Sequence, residues 1–480
     1  MPPRTCRRAV PGKRENEGIQ MLIQCVKRLA AALLLYLVFL LVGAVVPFLF
    51  QPAVSRQTKK KFQEMAFCGS GDGGERAALL WDNGEALAER IRLITHARER
   101  VILSTFEFRA DTAGRQVLAA LLAAAERGVE VQVLADGVPA LLRMRKNPYF
   151  HALSAQKKVQ IRLYNRPRPW APWRFMGRLH DKYLIVDETA YILGGQPGQK
   201  NYDWDVLVWS QGGTDSLLQL TGYFERLWDG GACTPFPSKA PSKIRRQVPK
   251  ACGDLVQLYV RMQAERPEWF EPLCQGPRTI PVRKIRLLAN PTTPYAKEPV
   301  VCYGMTELMS GGRQVSLHTP YVICNRWMLG RLRQVCGRAE RVTLMTNSVA
   351  NNGNPFGAMD YQTHRGELLD AGLHILEYDS GVSYHGKCAV IDDRLSLVGS
   401  FNYDMRSAYI DTELMLVLDS EAFCRTLREK MAEYEREAFP VNDAPAAMRS
   451  QCRAPQPIAP RKQRRLRWTR RLLGWARFLM

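Results

Sequence analysis

The sequence predicts an α/β fold built as two related halves behind an N-terminal transmembrane helix, and three observations predict it. His180, Lys182 and Asp187 fall at the spacing H-x-K-x4-D, and His385, Lys387 and Asp392 repeat it, with Gly194-Gly195 and Gly399-Ser400 equally far beyond each Asp. A strand, helix, strand pattern precedes each unit, the mark of an internal duplication. Residues 29–50, LAAALLLYLVFLLVGAVVPFLF, carry no charge.

The apolar run lies behind a basic segment, residues 1–28. At about 1.5 Å per helical residue it matches the ~30 Å hydrocarbon core of a bilayer. A cleaved signal would carry a shorter apolar region, about 7–15 residues, and a small-x-small site. The run is therefore read as a single-pass anchor in the cell membrane. Seven Lys/Arg precede it and four follow, as far as Lys61. That excess places the N-terminus in the cytoplasm and the body outside.

The first half, residues 67–229, shows a helix over Glu85–Arg98 with Leu87, Ile91 and Ile94 on one stripe. A strand at Val101–Leu103, a helix over Gly114–Arg127 and an alternating strand at Val129–Leu134 follow. Residues 230–250 contain four Pro and no long apolar run, and are read as a linker. In the second half, residues 251–440, the pattern returns as strand Val315–Leu317, helix Trp327–Val335 and strand Val342–Met345, closed by a helix over Glu421–Glu437. Residues 441–480 read as a flexible tether and a basic amphipathic tail. On a helix, Trp468, Leu472, Trp475 and Leu479 share one side, with Arg467, Arg470 and Arg477 opposite, a pattern suited to an anionic lipid interface.

Within each unit an apolar run, Tyr183–Val186 or Cys388–Ile391, joins the Lys to the Asp and reads as a buried strand. Side chains two apart on a strand face the same way, so each unit aims one imidazole and one ammonium at one place. Two such units facing each other offer two His and two Lys to an anion, and a phosphate diester suits them. One neutral His attacks phosphorus while the other, protonated, supplies a proton to the leaving alkoxide. The lysines, Ser400, Asn402 and the Gly195 turn would hold the phosphate oxygens. No C-x-x-C or H-E-x-x-H spacing is present to bind a metal, and the scheme needs no cofactor.

These units resemble the HKD motifs of the phospholipase D superfamily, and their context is similar to its bacterial cardiolipin synthase branch. The resemblance runs over residues 77–440 and rests also on Thr346-Asn347-Ser348, on YQTHRGELLDAG from Tyr361, and on GSFNYDMRS and Glu413. In the first half, Asp203-Trp204-Asp205-Val206 and Tyr223–Trp228 carry it. It implies a duplicated fold of two α/β/α halves sharing one active site, and a phosphohistidine intermediate. In that scheme His180 is the nucleophile, His385 the acid/base, and Glu413 orients the His of the opposite unit. Asp187 and Asp392 complete the motif's catalytic set, although their place at strand ends suits anchoring and charge balance better than proton transfer. The implied activity is that of a phosphatidyltransferase making cardiolipin and glycerol from two phosphatidylglycerols. A phospholipase D hydrolase, a nuclease and a non-catalytic lipid-binding homologue are the alternatives. One departure stands out: Pro197 occupies the position where the family's first unit carries Asn, with Gln196, Gln199 and Asn201 nearby as substitutes.

The net charge of +22 helps to choose between them. Residues 1–61 carry +9 and residues 449–480 carry +10, leaving +3 for the body. Excess that flanks the body rather than coating it favours an anionic phospholipid surface over nucleic acid. Just before the first unit, NRPRPWAPWRFMGR offers Trp170 and Trp173 to the same interface. Twelve cysteines without paired spacing exclude a disulfide scaffold. Nothing in the sequence sets an oligomeric state.

Overall fold

Each half folds around one mixed sheet. The computed structural model describes residues 11–71, 73–195, 203–210, 214–272, 279–442 and 456–480, with backbone alone for residues 11–18. Gln196, Pro197, Gln199 and Asn201 lie outside the described residues. The first sheet runs through β8 (Cys233–Pro235), β4 (Val159–Tyr164), β3 (Glu130–Asp136), β2 (Arg100–Thr105), β5 (Tyr183–Val186), β6 (Ala190–Leu193), β7 (Asp205–Ser210), β1 (Glu75–Leu80) and β9 (Ile280–Val282). The second runs through β19 (Ala438–Pro440), β14 (His374–Tyr378), β13 (Arg341–Asn347), β11 (Gln314–His318), β15 (Cys388–Ile391), β16 (Leu395–Gly399), β18 (Leu414–Asp419) and β10 (Lys284–Ala289). A separate two-stranded ladder pairs β12 (Val322–Ile323) with β17 (Tyr403–Asp404).

The duplication expected from the sequence is written into the pairing. β2, β3 and β4 are parallel, as are β11, β13 and β14. Each set then meets an antiparallel hairpin, β5–β6 or β15–β16, that carries a motif. Helices form the crossovers that parallel strands require. Two of them start two residues earlier than the apolar stripes suggest, at Asn83 and Thr112, because Asp82 and Asp111 accept hydrogen bonds from the Glu85 and Gly114 amides.

Two cores fill the outer faces of the sheets, and a third lies between them. In that central core Tyr183, Ile185 and Val206 of the first half meet Cys388, Val390, Val398 and Leu414 of the second. Burial on both faces explains why the motif strands are apolar throughout rather than alternating.

Three boundaries differ from the sequence reading. Residues 230–250 are no loose linker: β8 pairs with β4, and helix Val248–Glu265 packs Leu255 and Met262 into the first half's core. Pro249 sits in the first turn of that helix, where its missing N–H costs nothing. β9 also joins the first sheet, so the halves change over at Arg283 rather than at 250.

The helix Pro11–Val45 is continuous, and the stretch long and apolar enough to cross a membrane is Ile19–Phe48 rather than 29–50. Leu33, Leu34, Leu35 and Leu41 along it are exposed, while Ala44 and Phe48 at its end are buried against the body.

The tail is docked. Helix Pro460–Leu473 and the turn Gly474–Leu479 bury Leu466, Ala476 and Leu479 in the second half's core. Arg477 pairs with Asp360, its Nη2 lying 3.1 Å from Oδ2. Leu479 and Arg477 thus face the body, whereas Trp468, Leu472 and Trp475 stay exposed.

Candidate active site

The two motif strands bring their His-Lys pairs to one end of the central core, where the halves touch through a bridge between Leu179 and Thr412. Asp136 prepares the first pair: its carboxylate accepts from the Leu179 amide at 2.9 Å and from the Arg178 guanidinium at 3.1 Å. His180 then presents Nδ1 2.8 Å from Oε1 of Glu413, a residue of the other half. Glu413 is fully buried and accepts from Ser407 Oγ at 2.7 Å and from Ser400 Oγ. Burial pushes the Glu413 carboxyl up to about 7, against the pull of the Lys182 charge. Burial and the adjacent Lys182 hold His180 well below the usual imidazole range.

The second pair mirrors the first. His385 Nδ1 lies 3.1 Å from Oδ2 of Asp203, which comes from the first half. Burial works to raise Asp203, but the charges of Lys387 and His385 overcome it and keep the carboxyl ionised. Lys387 Nζ lies 2.8 and 3.2 Å from the two ring nitrogens of His385, and burial lowers it to about 8. Burial, then Lys387, lowers His385 as well, with Asp203 opposing. Lys182 Nζ donates to the His180 carbonyl at 2.5 Å and is also lowered by burial.

The residue between His and Lys points the other way in each unit. Asp181 is buried and accepts from Tyr223 at 2.7 Å and from Ser104 at 3.1 Å. Gly386 lies against Trp204, where an added Cβ would be 2.3 Å from Cδ1 of the indole.

Several expected roles are corrected. Asp187 and Asp392 stand outside the cluster, at the far ends of their strands. Asp187 accepts from the amides of Arg98, Glu99 and Arg100 at 2.7–2.9 Å, and Asp392 from those of Arg313 and Gln314 at 2.9 Å. Both occupy left-handed backbone, φ 50° and 51°, which Asp tolerates. They pin the hairpin to the neighbouring strand. Gly195 has no free amide for a phosphate: its N–H donates to Asp205 Oδ1 at 2.5 Å. Its lack of a side chain is what admits Asp203, whose Cγ would be 2.7 Å from a Cβ there. Ser400 is engaged with Glu413 and the Leu414 amide. Asn402 donates to Tyr321 at 3.1 Å and keeps a buried Oδ1 without a partner among the described residues.

Asp203 is the member the sequence reading missed as a site residue. Glu413 directly precedes β18 and Asp203 lies two residues before β7, so the matching strands of the duplication were the available signal. Lys297 is a further buried cation nearby, lowered to about 8 by burial, with the charges of Asp411, Asp181 and Glu413 opposing.

Trp170 and Trp173 belong to a loop that packs along the apolar N-terminal helix. Tyr36 donates to the Pro169 carbonyl at 3.3 Å, and a Cβ on Gly43 would be 2.4 Å from Pro172. Both indoles are exposed.

A family model described as "Cardiolipin synthase, PLD-like domain" matches residues 91–228 and 305–434, more than half of the chain. The chain belongs to the phospholipase D superfamily. Its two matched segments are the two halves that carry the His-Lys pairs. Cardiolipin synthase C of Escherichia coli K12 is 24% identical, covering 74% of this chain and 83% of that protein. Cardiolipin synthase B of the same strain is 26% identical over 75% and 80%. An uncharacterized protein of Helicobacter pylori 26695 is 24% identical over 76% and 80%. The crystal structure of phosphatidylserine synthase from Haemophilus influenzae superposes with a TM-score of 0.60 at 14% identity, covering 88% of this chain and 99% of that one, and shows the same fold.

Proposed function

We propose that this superfamily member is a membrane-anchored phosphatidyltransferase that makes cardiolipin and glycerol from two phosphatidylglycerols. The observation that carries the reading is the crossed arrangement of His180 on Glu413 and His385 on Asp203. A carboxylate on Nδ1 fixes the ring and leaves Nε2 as the reacting nitrogen. His180, kept neutral, attacks phosphorus: an Nε2–P bond forms and the P–O bond to the departing glycerol breaks. His385, whose protonated form Asp203 stabilises, gives its proton to that glycerol oxygen. The acceptor hydroxyl of the second lipid then loses its proton to His385 as its oxygen attacks, the N–P bond breaks, and His180 is restored. Lys182 and Lys387 neutralise the charge that develops on the phosphoryl oxygens.

The membrane substrate is supported by the apolar helix, by the exposed Trp170 and Trp173 on the loop packed along it, and by a body of nearly neutral charge. A single pass with the body outside the cytoplasm is the orientation favoured by the seven Lys/Arg before the uncharged run 29–50 against four after it. Trapping tests the intermediate. Short exposure to a phosphatidyl donor labelled at phosphorus should leave acid-labile, alkali-stable label on the peptide holding His180. Label on the His385 peptide instead would reverse the two roles, and no label on either would contradict the covalent scheme.

A further inference from the structure

We infer that Arg406 is a positioning residue for His180, held in place by residues 474–480 of a segment whose outer face seats on an anionic bilayer. The inference rests on the reading of His180 as nucleophile. Arg406 is the second residue of the short helix Met405–Tyr409. Its backbone N–H donates to the Met480 carbonyl at 2.7 Å, and its Nη1 donates to the Leu479 carbonyl at 3.2 Å. The same guanidinium reaches the Met176 carbonyl through Nη2 at 2.7 Å and Asp411 Oδ2 through Nε at 3.0 Å.

From Asp411 the connection continues to the nucleophile. Its other oxygen accepts from the Arg178 amide at 3.2 Å, the Thr412 amide donates to the Arg178 carbonyl at 2.9 Å, and the His180 amide donates to Thr412 Oγ1 at 3.1 Å. One planar fork therefore fixes both ends of the approach to His180 and the loop that delivers Glu413. A lysine, a point charge, cannot span those acceptors.

The occupant of the outer face follows from charge and position. Helix Pro460–Leu473 carries seven Lys/Arg and no acid, and Trp468, Leu472 and Trp475 are exposed. Gln51, three residues beyond the membrane-crossing stretch, meets Met405 Sδ through its Nε2 at 3.6 Å, and the adjacent Arg406 holds Leu479 and Met480. The bilayer that receives the helix thus lies beside this segment, and its indoles and arginines suit an anionic lipid surface.

The test uses the full chain on phosphatidylcholine vesicles with a fixed fraction of phosphatidylglycerol, with or without oleic acid as an anionic lipid that carries no phosphodiester. Arg406→Ala should lower kcat about 10- to 100-fold with little change in KM, as loss of an outer positioning contact does. Arg406→Lys, which keeps the charge and guards against misfolding of the alanine variant, should recover only a small part. Hydrogen exchange at residues 176–182 should quicken in both. Replacing Trp468 and Trp475 together by Ala should abolish acceleration by oleic acid and weaken vesicle binding. Wild-type kcat and unchanged exchange in both Arg406 variants would overturn the positioning role. Undiminished oleate acceleration in the tryptophan variant, or tighter binding to a short RNA than to the vesicles, would overturn the bilayer role. If the wild type turns over no phospholipid, the proposed function fails on its own, and exchange at 176–182 still decides the role of Arg406.

Discussion

His180 Nδ1 and Glu413 Oε1 meet at 2.8 Å although the residues belong to different halves of the chain. Neither half can orient its own histidine, so the site exists only when the halves are packed together. Glu413→Gln keeps the shape and removes the charge, and it should lower kcat about 10- to 100-fold. Steady-state kinetics beside a thermal melt will separate this loss from unfolding.

Asp203 plays the matching part for His385. Its charge raises both His385 and Lys387, so Asp203→Asn should lower both. The alkaline limb of the pH–rate profile then moves to lower pH, while the acid limb, governed by His180, stays. A profile in which only the acid limb moves would assign the roles the other way.

The buried lysines oppose activity and stability. Lys387 is held at about 8, below its ordinary value of 10.5, so the folded state binds fewer protons than the unfolded state between those values. Stability contributed by this group therefore rises as pH climbs from about 8 to 10.5 and is flat outside that window. Catalysis, which needs the ammonium, falls over the same interval. Lys387→Met should reduce the alkaline rise in stability measured by denaturant unfolding.

Asp187 and Asp392 behave as anchors. Asp187→Ala removes three hydrogen bonds from the amides of the exposed Arg98 and Glu99 and the half-buried Arg100, and should cost about 1–1.5 kcal/mol of stability with kcat within a few-fold of wild type. A large loss of kcat with unchanged unfolding would return Asp187 to the catalytic set.

The sequence carried the fold class, both motif strands and the duplication, because short continuous apolar runs and matched spacings are local signals. Glu413 was legible through the family resemblance. Asp203 was not, since its role depends on which strand of one half faces the other. The Pro-rich stretch 230–250 looked like a tether because an edge strand such as β8 tolerates proline as readily as a loop does. The tail's amphipathic pattern was visible, but its docking rests on long-range contacts, Leu466 and Leu479 in the second half's core and Arg477 on Asp360, and no periodicity encodes them.

The central claim is a phosphatidyl transfer that needs both histidines. Purified full-length protein is incubated with labelled phosphatidylglycerol, beside His180→Ala and His385→Ala, and the lipid products are resolved. Cardiolipin from the wild type and none from either variant is the predicted result. Phosphatidic acid alone would make the protein a hydrolase, and equal turnover by wild type and both variants would contradict the two-histidine mechanism.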